Sequence, residues 1–197
     1  MLTCASEHDC VAISLKVIEA VAMRLDALAH LDTDVDEARL RQCNVHYYAL
    51  RVHLAWIQGR PDIADHLFLN IPDLNTGDCC VLDVCFKVGS SALSRRQYDV
   101  AAKWLERGLQ QCKLLVSSSK ESDVALQNKE LLTLHALVRA SIYLDTHDSQ
   151  DSLARALEQL KSQYSNVFSV RLLELELLAR GERDVEQYFQ GEFSHYH

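Results

Sequence analysis

Residues Asp83–Leu109, DVCFKVGSSALSRRQYDVAAKWLERGL, decide how the rest of the chain is read. Val84, Val88 and Leu93 predict one helix, Arg95-Arg96-Gln97 a tight turn, and Tyr98, Ala101, Ala102, Leu105 and Leu109 a second helix. Gly89 and Ala101 are small where two helices must approach closely. The order, Gly in the first helix and then Tyr-x-x-Ala opening the second, is that of a tetratricopeptide hairpin. Such a hairpin cannot bury its apolar faces alone and requires neighbours stacked on both sides.

Working outward, the same pattern recurs upstream. A helix is predicted over Glu37–Gln58, Gly59 stands where a helix ends, and Pro61 sits in the first turn of the next, which runs to Ile71. Ala64 takes the place of Ala101, and Phe68 that of a later aromatic. The two alanines are 37 residues apart, close to the repeat period of about 34. Ahead of this lies an apolar stripe, Val11, Leu15, Ile18, Ala22, Leu25 and Ala29, in a helix from Asp9 to Leu31. Val21 and Leu28 widen the stripe enough to predict more than one neighbour. Downstream, helices are predicted over Leu126–Leu144 and Asp151–Tyr164, then a last hairpin over Val167–Ala179 and Glu182–Phe189. The expected fold is all-α, about four hairpins and a leading helix (about nine helices) in one helical-repeat domain over residues 1–197. The best-matching hairpins are 42–71 and 82–115. Leu172, Leu173, Leu175, Leu177 and Leu178 give the last hairpin more apolar residues than a solvated end needs, so the chain reads as an arc of a longer solenoid.

Composition narrows the function. The net charge is −8, and no basic run extends beyond Arg95-Arg96. Binding of nucleic acid by this segment is therefore not expected, because phosphate contact needs clustered cations. No apolar run approaches the roughly 20 residues that cross a bilayer. Seven cysteines without paired spacing predict a reducing, intracellular setting in which thiols act as small hydrophobes.

Candidate chemistry is sparse. Asp32, Asp34 and Asp36 alternate as in a calcium loop, but the Gly and closing Glu of such a loop are missing, and helix capping is the better reading. Cys43 and His46, with His53 two turns on, lack the second half of a zinc site. Cys79 and Cys80 lie at a helix start, where a thiolate is favoured, with no base nearby. No phosphate loop, nucleophile elbow or zincin motif is present. No enzyme activity and no cofactor are expected.

A protein surface is the more productive reading. In this repeat the first helix of each hairpin lines a concave groove that holds peptides. The frame from Gly59 places His46, Ala49 and His53 there; the frame from Ala101 places Asp83, Phe86 and Ser90; a frame from Ala154 places Arg139 and Tyr143. The alternative buries Phe86 and Tyr143 between repeats. Chaperone-tail clamps need Lys and Asn at groove positions that hold neither here, so a chaperone tail is not the expected ligand.

Tyr47-Tyr48-Ala49-Leu50-Arg51, Trp56, Gly59 and Asp62-Ile63-Ala64-Asp65-His66 are followed by Val88-Gly89, Tyr98 and Lys103-Trp104-Leu105-Glu106-Arg107. This succession resembles the meiosis-specific sporulation family of tetratricopeptide proteins, the Zip-type scaffolds of the synapsis-initiation group. Leu93 stands one residue beyond the family's usual apolar place and Gly108 replaces its common Ala. The resemblance covers Gln42 to Leu115, and more loosely reaches Leu144. Members of that family are several times longer, which implies that this chain is part of one. It also implies a non-enzymatic hub in the nucleus, associated with chromosomes in meiotic prophase. Its partners would be other crossover and synapsis proteins, with DNA contact left to them. Two other functions fit the residues: a tetratricopeptide adaptor in another nuclear or cytoplasmic complex, and an enzyme using Cys79, Cys80 or a Cys43–His46 metal site.

Overall fold

The computed structural model describes residues 11–29, 36–72, 79–118, 124–144 and 147–180. Among the described residues there are eight helices and no strand: α1 (Val11–Ala29), α2 (Glu37–Ile57), α3 (Pro61–Leu69), α4 (Cys80–Ser94), α5 (Tyr98–Ser118), α6 (Val124–Ser141), α7 (His147–Tyr164) and α8 (Phe168–Arg180). The all-α expectation holds. The ninth helix expected over Glu182–Phe189 lies outside the described residues.

Local signals set several of the helix ends. Asp36 caps α2, its carboxylate accepting from the backbone N–H groups of Ala38 and Arg39 at 3.1 and 3.3 Å, which bears out capping at this aspartate; residues 32–34 lie outside the described residues. Pro61 opens α3. Both tight turns share one hydrogen-bonding scheme. Arg60 N–H donates to Ala55 C=O and Gln97 N–H to Ala92 C=O, each at 3.0 Å. The residue before each donor is left-handed: Gly59 at φ 72° and Arg96 at φ 60°. These are the six-residue closures that end helices in a left-handed residue. Gly59 and Arg96 stand 37 positions apart, as do Ala64 and Ala101, so the repeat is written into backbone geometry as well as residue type.

The helices form two rows. The second row is α3, α5 and α7, and α1 stands ahead of it as the leading helix. The first helices α2, α4, α6 and α8 pack side by side in that order, and α5 and α7 each lie against the first helix of their own hairpin and of the next. One core cluster runs without a break from Val45 to Leu173. At its centre Trp104 is 1 % exposed, meets the edge of Phe68 at 5.3 Å between ring centroids, and lies under the Arg107 guanidinium at 4.6 Å. Arg107 and Lys103 also hold Asp65 of the preceding hairpin at 2.6 and 2.8 Å, which fastens α5 to α3.

The close approach expected at Gly89 is present. A Cβ there would stand 2.6 Å from Leu105 Cγ and 3.4 Å from Ala101 O. Leu105 is fully buried and cannot swing away. Gly108 differs: its added Cβ would meet Cys85, Thr133 and Leu82 at 3.3–3.5 Å. Gly89→Ala should therefore destabilise, with overpacking of roughly 1–3 kcal/mol exceeding the helix-propensity gain of about 1 kcal/mol. Gly108→Ala should be near neutral. Urea melts of the two variants check this, and equal midpoints would refute the close approach.

Asp65 gives a pH signature. Burial alone would raise its pKa, but the hydrogen bonds from Lys103 and Arg107 outweigh burial and hold the carboxyl below its ordinary range. The folded state thus binds the proton less readily than the unfolded chain. The clamp's contribution is full above the unfolded value of about 3.9 and is lost as pH falls through the lower folded value. Asp65→Asn should lower the midpoint near neutral pH and flatten the acid limb of the stability profile. An acid limb unchanged by the substitution would show that Asp65 carries none of it.

Several expectations need correction. Val21 and Leu28 are 42 % and 40 % exposed, and α1 packs only on α2 among the described elements, so the widened stripe has one neighbour. The helix expected from Asp151 begins at His147, because residues 147–150 form its first turn, where polar residues are favoured. The helix expected to reach Leu144 ends at Ser141. Ala154 is exposed, and Ala156 fills the small buried place on α7. Cys85 and Cys112 are buried as expected of apolar thiols, but Cys43 is exposed.

Candidate protein-binding face

Three first helices turn one stripe each to the same side of the row. On α2 it holds Arg39, His46 and His53; on α4, Asp83, Lys87, Ser90 and Ser94; on α6, Leu132, His135 and Arg139. The spacings of three, four and seven keep each set on one helix face. Contacts between neighbours tie the stripes together. Asp83 pairs with Lys129 of α6 at 2.7 Å. Lys87 lies close enough to His53 of α2 to oppose its protonation, and Glu176 of α8 lies beside His135. Below this face Trp56 donates its indole N–H to Ser91 Oγ at 3.0 Å, locking α2 to α4.

The residues selected from the sequence divide in two. His46, His53, Asp83, Ser90 and Arg139 are at least partly exposed on the face, and Phe86 is half-buried, with part of its ring against the core. Ala49 is not on it. At 2 % exposure it belongs to the core, because a methyl at that position is where α2 meets its neighbours. Tyr143 lies beyond the end of α6 and stacks on Tyr98 of the preceding hairpin, 4.4 Å between centroids and 11° between planes. Lys87, Lys129 and His135 were missed. Lys87 was legible as the residue one turn after Asp83; Lys129 and His135 needed a frame for α6 that the exposed Ala154 could not supply.

Two histidines on this face have shifted pKa values. Burial, and then Lys87, lowers the pKa of His53, whose Nδ1 is buried without a hydrogen-bond partner. Burial, and then Arg139, lowers that of His135, with Glu176 opposing. Both rings are therefore held toward the neutral form.

No group of three or more His, Cys, Asp or Glu side chains is gathered for a metal among the described residues. Burial pushes the thiols of Cys85 and Cys112 up to about 12, the reverse of what a nucleophile needs. A disulfide reagent at mildly alkaline pH should accordingly label Cys43 quickly and reach Cys85 and Cys112 only on unfolding. Labelling of all three at one rate in the folded protein would show those thiols to be reactive. No helix among the described residues is long and apolar enough to cross a membrane.

The family described as Meiosis protein SPO22/ZIP4 like matches residues 54–192. The chain belongs to that family. The match takes in α3 to α8 whole, with the last residues of α2, and so covers the later hairpins, whose fit to the repeat consensus is poor. It starts further along the chain than the resemblance read from Gln42 and continues far past Leu115. No curated protein and no solved structure gives a match. Membership of SPO22/ZIP4 like proteins places the chain in meiosis and gives the helical array its setting.

Proposed function

We propose that this chain is a non-enzymatic, protein-binding scaffold in meiotic chromosome synapsis and crossover recombination, built on a tetratricopeptide-type array and acting in the nucleus on chromosomes. Its partners are other crossover and synapsis proteins, and they dock on the face formed by α2, α4 and α6. The observation that carries this reading is the continuous face itself, with the half-buried Phe86 ring among exposed polar side chains, in a chain of a meiotic family. An anchoring aromatic surrounded by polar groups suits recognition of a protein segment.

The test is affinity capture from meiotic cells with the tagged chain. Crossover and synapsis proteins should be recovered, and lost when His53 and Phe86 are both replaced by Glu in a variant of unchanged melting temperature. Recovery of an unrelated complex would discard the meiotic role. Recovery unaffected by the double substitution would discard the face.

A further inference from the structure

The two junctions of the second row are closed differently. Between α3 and α5 the gap is closed by Trp104, which meets Phe68 edge-on, with Arg107 over the two rings at 4.6 and 4.5 Å. Trp104 stands three positions after Ala101, the small buried residue of α5. On α7 the small buried residue is Ala156, and three positions after it stands Gln159. The Gln159 amide turns to α6 and donates to Glu130 at 2.7 Å. Where the first junction holds an indole, the second has a cavity of about 250 Å³ between α5, α6 and α7, and none of the residues lining it is aromatic. Its floor is apolar, built from Leu109, Leu134 and Leu137. The last two lie on the far side of α6 from Leu132, His135 and Arg139, so the cavity is separate from the face described above.

We propose that this cavity is an anchor pocket for one aromatic side chain of a partner protein, an indole before a phenol. Its volume falls below the roughly 300–1,000 Å³ of sites that enclose small molecules, which leaves a single side chain as the fitting occupant. Arg155 stands at the rim, its Nε–H donating to the Asp151 C=O at 3.2 Å, which ties the guanidinium to the cavity's edge. A ring entering there meets a guanidinium, as Trp104 meets Arg107. The wall supplies an acceptor. Ser152 donates to one carboxylate oxygen of Glu106, and the other oxygen has no partner among the described residues. An indole N–H or a phenol O–H satisfies that oxygen, whereas a phenylalanine ring or an aliphatic chain cannot. Aromatic anchors seated in such pockets carry much of the binding energy at protein interfaces. The array would thus hold a partner at a second place, on the α5–α7 side, independent of the face of α2, α4 and α6.

The experiment titrates N-acetyltryptophanamide into the methyl-labelled 197-residue chain and follows the leucine methyl resonances by NMR. Leu109, Leu134 and Leu137 should shift together and saturably. N-acetylphenylalaninamide should bind about tenfold more weakly, for want of the donor, and N-acetylleucinamide more weakly still. Gln159→Trp places an indole where α5 has one, and should fill the cavity and abolish the shifts. Arg155→Ala, a change at an exposed residue, should leave the fold intact and weaken binding about two- to fivefold. The His53→Glu/Phe86→Glu pair should leave binding unchanged, so the pocket and the face stand or fall separately. No saturable shift at these methyls up to the solubility limit of the probe overturns the pocket. Equal binding of the phenylalanine or leucine probe does so too, as does loss of binding with the face pair. Binding indifferent to Gln159→Trp overturns it as well, or, should that variant not fold, binding indifferent to Arg155→Ala.

Discussion

Ala101→Arg should abolish cooperative folding of the central hairpins. Ala101 is fully buried, and its carbonyl lies 3.4 Å from where a Cβ on Gly89 would stand, so no space exists between α4 and α5 for a longer side chain. A guanidinium cannot shed its charge as a lysine can, and an unpaired ion in the interior costs several kcal/mol. Overpacking adds about 1–3 kcal/mol. Against a typical domain stability of about 5–15 kcal/mol, the sum removes most or all of it. The α4–α5 pair contributes to one core running from Val45 to Leu173, so the loss should spread to both neighbouring hairpins. Far-ultraviolet circular dichroism on heating reads the effect as a broad, early loss of helix. A sharp transition at the wild-type temperature would mean that α4 and α5 do not pack through Ala101.

Trp104→Ala ranks second. The indole touches Phe68 of the hairpin before and Arg107 of its own helix, so its removal leaves a cavity at the junction of two repeats. Truncation of a buried tryptophan costs about 3–5 kcal/mol. For a chain of this size that corresponds to a fall in Tm of roughly 6–20 °C. The Arg107–Asp65 contact supplies a control. If Trp104 acts by fastening α5 to α3, then Asp65→Ala in the Trp104→Ala background should cost less than in the wild type, because both act on one junction. Strict additivity of the two changes would show that they act separately.

What was legible in the sequence was local. Gly59 ending α2, Pro61 opening α3, the Arg95–Gln97 turn and the Gly89–Ala101 approach are all decided within one hairpin by backbone constraints that a residue type announces. What was not legible depends on residues far apart in sequence. Nothing in KWLER at 103–107 says that Lys103 and Arg107 will meet Asp65, some forty positions back. Ser152 likewise gives no sign that its hydroxyl will donate to Glu106. The third frame failed at Ala154 because the α6–α7 connection, from Ile142 to Thr146, is longer than the three-residue turns at 58–60 and 95–97. A longer connection frees the second helix to rotate against the first, and a projection across it loses register. Arg139 lay on the face because α6 has its own apolar periodicity, not because the projection was sound.

The packing order of the helices also fixes how the chain reaches this structure. Among the described elements, no helix packs on one more than two places away along the chain. Every junction can therefore form by closing a short loop, and loop closure is the slow entropic step in chains with distant pairings. Folding should begin at the α4–α5 pair, whose three-residue turn is as short as that of α2–α3 and whose facing residues Val88, Gly89, Ala92, Ala101 and Leu105 are all buried, and spread outward helix by helix. A scaffold that assembles this way can start to fold as its central pair emerges, and is completed only as the helices that follow stack on it.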